Sequence, residues 1–510
     1  MMNDLAGEGP TESTFLARPA GRPLHRQMAG TLMIVASVAL GFGATLKSNA
    51  LRGANDTSRW CTVWSLLERG TYAIDECPWQ LQTQDKVWMK EPFTPDGQEP
   101  RKRFYSSKPP LLPTIVAGLL YPFRAATGVP IDHVVEMPRS RRLEVQALDY
   151  VPKEDQKVVQ TLEGYKVIEI SPGEPAKWSA HILYFDPVLW ILNVLPMAVF
   201  LVLFARWLDR AAMNDWAWLF SLASACFGTN LFLFTPTLNN HTPGAFAAFF
   251  AAYAWLRIWG EGKRHWGYFA ACGFFGAFAA TCELPAVGLC AFLFGSLLWK
   301  EPRKTLIALM PAALVPALAF EITLYAATGG WTEVVYSRFD EEGPDAPYRY
   351  PGSYWIKPLE IDALDEPKWL YAFHLLLGHH GIFSLTPVFL FSVWGIGSRI
   401  FSKGAAPYLR AAAGATLLLS IAVVGFYIRK TNNYGGWTQG ARWLFWLIPL
   451  WLIFLPFGCE AGQDRRWPRR LALAALYVSV MTSGYGILQP WSHPWILDAL
   501  DHLGLYEMTR

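Results

Sequence analysis

Apolar residues in this chain gather into long runs separated by polar connectors, at 28–48, 184–205, 216–235, 241–259, 266–281, 284–299, 303–328, 381–400, 409–428, 440–458 and 469–487. Several approach or reach the ~20 residues that cross a bilayer as a helix. The pattern predicts an all-α polytopic membrane protein of about 11 transmembrane helices, N-terminus inside and C-terminus outside. Two stretches break the rhythm. Residues 57–69 place Trp60, Val63, Trp64 and Leu67 on one face, as an amphipathic helix lying on the outer leaflet would. Residues 111–127 are apolar but short, carry Pro113, Gly118, Pro122 and Arg124, and follow Lys108-Pro109-Pro110.

The connectors fix sidedness, because Lys and Arg collect on the cytoplasmic side. Those at 206–210, 257–265, 299–304, 398–410 and 463–470 are short and basic, and they alternate with less basic ones at 235–243, 281–285, 329–380 and 429–442. The tail 1–27 carries Arg18, Arg22 and Arg26 and reads as a disordered cytoplasmic segment. The first span then ends outside and the span at 184–205 starts outside, so 49–183 forms a first outer loop. Stretch 111–127 therefore reads as an interfacial or re-entrant helix. Two prolines suit its start, where N–H groups lack partners anyway. The competing topology needs two crossings within 109–180, yet 128–180 is polar and highly charged. That stretch reads as a small soluble insertion, with 165–170 alternating like a strand. Residues 329–380 form a second large outer loop, and 488–510 an outer C-terminal tail.

Composition agrees: 52% of the 510 residues are apolar, and a net charge of +3 offers no basic surface for nucleic acid. The seven cysteines have no metal-ligand spacing. Five lie in or beside apolar runs; Cys61 and Cys77 fall in the outer loop, where an oxidising compartment would allow a disulfide.

Polar residues that cluster at outer span ends are the candidate chemistry. Asp56 and Arg59, in "NDTSRW", share a face if a helix starts there. The plainer reading is a cap at Asp56 or Thr57, with Arg59 on lipid phosphate. Tyr105 and Lys108, in "YSSKPP", lie where a lysine can meet a lipid phosphate or simply snorkel. Asn433 and Arg442, in "NNYGGWTQGARW", combine close backbone approach with a guanidinium suited to phosphate. His241 in "LNNHTP", the adjacent His379 and His380 in "HLLLGHHG", and Glu283 in "CELP" complete the set. On a helix the two histidines point about 100° apart, which is poor for joint metal binding unless the backbone is irregular.

In order and spacing these elements resemble the C-type (GT-C) membrane glycosyltransferases, in particular protein O-mannosyltransferases and lipid A aminoarabinose transferases. The likeness rests on one span, then Asp56-x-x-Arg59, an "RG-T-Y" step at Arg69, "YSSKPP" opening a short apolar helix, and "GGWTQGARW" further on. It covers roughly 28–127 with weaker support to about 458, and implies a GT-C-like transmembrane domain over 28–487. It implies a polyprenyl-phosphate-linked sugar as donor, Asp56 as the catalytic acidic residue, and Arg59, Lys108 and Arg442 against the donor phosphate. The "YSS" before the lysine and the long 128–180 insertion depart from the common pattern and leave the acceptor open. Family members differ in metal use, so a divalent cation is compatible but none is assigned.

The expected activity is inverting transfer of the sugar to an acceptor hydroxyl on the outer, periplasmic face of the inner membrane. With Asp85 as a second carboxylate, a retaining double displacement stays open. A flippase for a lipid-linked saccharide would instead place ionisable residues near mid-membrane, often with a repeat. A non-catalytic scaffold would leave Asp56, Lys108 and Arg442 apart. The sidedness argument is testable with reporter tags inserted before residue 105 and after residue 128: both are expected in the outer compartment, and tags in opposite compartments overturn it.

Overall fold

The computed structural model describes residues 23–94, 97, 99–133, 139–144, 156–161, 164–171, 181–332, 346–431 and 433–506, and it is predominantly helical. Most of the tail 1–27, part of the 128–180 insertion, 333–345 of the second outer loop and 507–510 lie outside the described residues.

Six helical stretches among the described residues are long and apolar enough to cross a membrane: Leu24–Lys47 (α1), Leu183–Arg210, Asp215–Leu233, Pro302–Thr328, Pro407–Lys430 and Arg442–Gln463. Trp266–Cys282, Leu284–Lys300 and Phe389–Phe401 are apolar but shorter, and His241–Gly260 and Arg466–Gly486 are also helical. Length and composition thus support six of the eleven expected spans directly. The stretch expected at 381–400 is divided. A single turn, Ile382–Leu385, stops at an extended Thr386, and the helix proper begins at Phe389. Pro387 explains the break, because a residue before proline is disfavoured from helix and proline donates no N–H.

The helices differ in how far they are enclosed. The most apolar window of Arg442–Gln463 is 83% buried, against 17% for Pro302–Thr328 and for Pro407–Lys430, so the first is central and the others peripheral. On α1 the inward positions are small, Gly30, Ser37, Gly41 and Ala44, while Leu32, Val35 and Leu40 face outward. That outward surface needs lipid rather than water around it.

Ion pairs tie the basic connectors together at one end of the bundle. Arg26, at the start of α1, pairs with Asp215 and donates to the Met213 carbonyl at 2.8 Å. Arg210 and Arg257 both reach Glu261, each at 2.7 Å. Glu301 pairs with Arg264 and, at 3.7 Å, with Lys304. The 460–470 segment joins them where Trp216 donates to the Cys459 carbonyl at 2.9 Å.

At the other end stands the first outer loop. Helix α2, Ala54–Arg69, does not lie flat on a leaflet as its amphipathic pattern suggests: every residue from Asn55 to Ser65 is buried. Its tryptophan face packs with Leu112, Val116 and Leu120 of helix α3, Leu111–Thr127, and with Tyr184, Phe185 and Val188. Its polar face turns to the bundle. Nor does Asp56 or Thr57 cap it; the N-cap is Gly53. Between α2 and α3, strands β1 (Lys86–Lys90) and β2 (Lys102–Ser106) form an antiparallel hairpin that delivers the chain to Lys108. Arg124 and Glu68 clamp the far ends of α2 and α3 through two 2.8 Å bonds. Within the insertion, β3 (Arg139–Glu144), β4 (Gln156–Thr161) and β5 (Gly164–Ser171) form an antiparallel sheet in the order β3-β5-β4, so 165–170 is a strand as its alternation indicates.

The packing of Phe389–Phe401 against Arg442–Gln463 depends on glycine. A Cβ at Gly395 would stand 1.9 Å from the Phe454 carbonyl oxygen, and one at Gly458 would stand 1.8 Å from that of Phe391, whereas Gly397 has open space. Close helix approach in a membrane is built this way. Gly395→Val is expected to cost about 1–3 kcal/mol or more by overpacking, and Gly397→Ala close to nothing. Thermal unfolding in detergent checks this; equal melting temperatures for the two variants contradict the glycine-dependent packing.

Candidate functional site

Asp56 lies in the first turn of α2, enclosed by protein. One carboxylate oxygen accepts from the Trp491 indole N–H at 2.9 Å; the other has no hydrogen-bond partner. Burial pushes its carboxyl up to about 8, with the indole N–H and the charges of Arg59 and Arg442 acting in the opposite sense. Arg59, one turn on, is also buried. It donates to the Asn55 carbonyl at 3.0 Å, and to the side-chain oxygens of Asn55 and Asn240. Burial brings its guanidinium down to about 10, and Asp56 partly offsets this.

Lys108 sits where β2 gives way to α3. Its ammonium pairs with Asp85 at 2.9 Å. Burial pushes it down to about 8; Asp85 opposes the shift, and Arg442 and Arg59 add to it. Beside it opens a small cleft lined by Thr62, Tyr72, Tyr105, Lys108, Leu324 and Thr328, among others. One wall thus belongs to the segment between α1 and the start of α3, the other to the C-terminal end of the peripheral helix Pro302–Thr328.

Arg442 starts the most enclosed helix, at the end opposite the basic connectors. It lies over the Trp491 ring at 5.0 Å, and its Nη1 is 3.3 Å from His241 Nε2. His241 Nδ1 bonds Glu283, which also accepts from Asn240 at 3.0 Å. Because Nε2 faces a guanidinium, which only donates, the imidazole proton belongs on Nδ1 toward Glu283. Glu283 therefore fixes His241, and His241 orients Arg442. A turn with Gly435 at φ +105° and Gly436 at φ +74° precedes Arg442; a Cβ on Gly435 would come within 2.9 Å of Arg442 Nε.

Asp56, Arg59, Lys108, Arg442, His241 and Glu283 thus gather at one end of the bundle, linked electrostatically through Arg59 and Arg442. Tyr105 lines the adjoining cleft. Asn433 shapes the turn, its side-chain oxygen accepting from the Gly435 and Gly436 N–H groups at 2.6 Å each. His379 and His380 stand apart in a second cluster with His374, Glu366, Tyr434 and Tyr506. Burial pushes the His379 imidazole down to about 3, and that of His380 well below the usual range. Cys61 and Cys77 are free thiols.

No family model and no curated protein matches this chain. Two solved structures of an Archaeoglobus fulgidus oligosaccharyltransferase are similar to it. The apo form is 12% identical, with a TM-score of 0.43, over 90% of this chain and 56% of that one. The archaeal oligosaccharyltransferase AglB in complex with an inhibitory peptide and a dolichol-phosphate is 13% identical, with a TM-score of 0.42, over 95% of this chain and 61% of that one. The chain spans less than two thirds of either, and likeness of this degree carries no function across.

Sequence reasoning missed Trp491, the hydrogen-bond donor to Asp56, and Asn240, which links Arg59 to Glu283. Asn240 stood inside a noted polar cluster; the indole of Trp491 had no local signal. Asp85, considered as a second nucleophile, pairs with Lys108 at 2.9 Å.

The Asp56 shift makes a stability claim. A carboxyl raised from 3.8 to about 8 keeps its proton in the folded protein where the unfolded chain has lost it. The folded state therefore binds more protons, and stability falls as pH rises from about 4 to about 8. Asp56→Asn removes this penalty. Its melting temperature is expected to exceed that of the wild type, by more at pH 8 than at pH 5; a difference independent of pH contradicts the burial argument.

Proposed function

We propose that this chain is a membrane-embedded inverting glycosyltransferase that moves a sugar from a polyprenyl-phosphate donor to an acceptor hydroxyl on the outer face of the inner membrane. The observation that carries the reading is a buried carboxylate, Asp56, in electrostatic reach of Arg59 and Arg442, which in turn reach Lys108 at the edge of a small cleft. The headgroup of the lipid-linked donor enters that cleft with its tail along Pro302–Thr328.

In the reaction the acceptor oxygen attacks the anomeric carbon as the bond from that carbon to the phosphate oxygen breaks. The hydroxyl proton passes to Asp56, and polyprenyl phosphate leaves with its added charge. Lys108 and Arg442 stabilise that charge as it develops, which lowers the barrier more than it strengthens ground-state binding. Asp85, bonded to Lys108, positions the ammonium and hands its share of the interaction to the phosphate. Glu283 and His241 hold Arg442 in place. A glycosyl phosphate has a good leaving group, so no general acid is required.

A transfer assay tests the reading: purified protein, a panel of polyprenyl-phosphate sugars, and wild type beside Asp56→Asn. The variant is expected to fold and to lose transfer by at least ~100-fold, the size of a general base contribution. The base form of Asp56 accumulates toward pH 8, while Lys108 loses its charge above that value. The rate should therefore peak near pH 8 and fall about tenfold per unit on the acid side. Lys108→Arg keeps its charge and extends the alkaline limb. Retained transfer by Asp56→Asn overturns the assignment of the base, and donor flipping without transfer favours the flippase.

A further inference from the structure

The second cluster, away from Asp56, has the chemistry of a metal site. Glu366, His374 and His379 each offer one ligand atom, and these lie within 4.8 Å of one another. A zinc ion with bonds of 2.0–2.1 Å holds its donors about 3.3 Å apart; the His374 and His379 rings are stacked with centroids 4.0 Å apart, so binding requires one ring to rotate as well as the side chains to close. His379 and His380 are fully enclosed, and His374 is 8% exposed. Nonetheless His379 Nε2 has no hydrogen-bond partner, and His374 Nε2 faces a Glu366 oxygen at 4.0 Å, beyond hydrogen-bond reach. A buried ring nitrogen without a partner is costly, and a metal ion removes that cost.

The surrounding contacts are those a metal site requires. His379 Nδ1 lies 2.6 Å from His380 Nδ1, a distance that requires one proton shared between the two nitrogens. When His379 donates it, Nε2 carries the lone pair, and His380 acts as the outer partner that orients a ligating imidazole. Tyr506 donates to one oxygen of Glu366 at 2.8 Å, and Tyr434 donates to the other. Each carboxylate oxygen keeps a lone pair for an ion. The irregular backbone that joint use of neighbouring histidines demands is present: the helix Lys368–Leu376 ends just before the turn that carries them. His374 comes from the helix and His379 from the turn, so the ligand pair is not the adjacent pair.

We propose that Glu366, His374 and His379 bind one divalent transition metal of the zinc class, which joins the second outer loop to Tyr434 and the C-terminal tail. Two imidazoles and a carboxylate are a set such an ion accepts, and calcium or magnesium would favour oxygen alone. Tyr434 is fully buried and immediately precedes the glycine turn that seats Arg442. The ion thus acts as a structural fastening for that loop, and its binding does not depend on the transfer reaction.

The test uses full-length protein purified in detergent without chelator and with a tag free of histidine. Elemental analysis should find about one zinc-class ion per chain. His379→Ala and Glu366→Gln should each retain less than a tenth of it, and the surface variant His265→Ala should retain it all. Stripping wild type with a chelator should lower its melting temperature, and added zinc should restore it. Wild-type protein that is metal-free and takes up no zinc in a competition titration overturns the proposal, and this arm needs no variant to fold. Equal metal in His379→Ala and wild type, or loss in His265→Ala, also overturns it by showing that the ion sits elsewhere.

Discussion

The end of the bundle opposite the basic connectors is organised around a carboxylate removed from water. Asp56 lies on a helix whose first three turns are buried, and an isolated charge there would be prohibitively costly. Its environment compensates through the Trp491 indole N–H and the nearby guanidinium charges of Arg59 and Arg442. Those groups bring their own requirements. Trp491 must fold back from the C-terminal tail, and a side chain at Gly53 would collide with its ring at 2.3 Å. Arg442 needs His241, His241 needs Glu283, and Arg59 needs Asn240. One buried acid therefore draws together the first outer loop, the outer ends of three helices and the tail.

Such an arrangement is held in place rather than self-stabilising. The enclosed helix Arg442–Gln463 supplies the rigid support, and glycine contacts set its distance from Phe389–Phe401. At the opposite end, ion pairs among the basic connectors fix the helices relative to one another where water is available. Peripheral helices present apolar surface to lipid. The polar cluster thus sits against a stiff body on one side and a cleft edged by the lipid-facing helix Pro302–Thr328 on the other. A polar headgroup on an apolar tail suits that boundary.

Compensation at Asp56 is incomplete. Burial holds the Asp56 carboxyl up at about 8 and brings the Lys108 ammonium down to about 8 against the opposing charge of Asp85. The folded chain accepts a local loss of stability to hold these charges fixed in direction.

The amino-acid sequence by itself determined the helical membrane architecture, the common face of the basic connectors, the short helix beside Lys108, and the strand at 165–170. Each is written locally: apolar run length, charge bias between runs, a proline pair, alternation. It also marked Asp56, Arg59, Lys108, His241, Glu283 and Arg442, since polar residues at span ends are conspicuous in an apolar chain. Only the tertiary structure decided that these six meet. It also decided that α2 is enclosed by protein, that Asp85 pairs with Lys108, and that His379 stands close to His374 and Glu366 as well as to its neighbour. The physical reason is distance along the chain. Trp491 reaches Asp56 across 435 residues and Arg442 reaches His241 across 201, and no periodicity encodes contacts so far apart. An amphipathic face likewise records that one side is apolar, and not whether lipid or protein covers it.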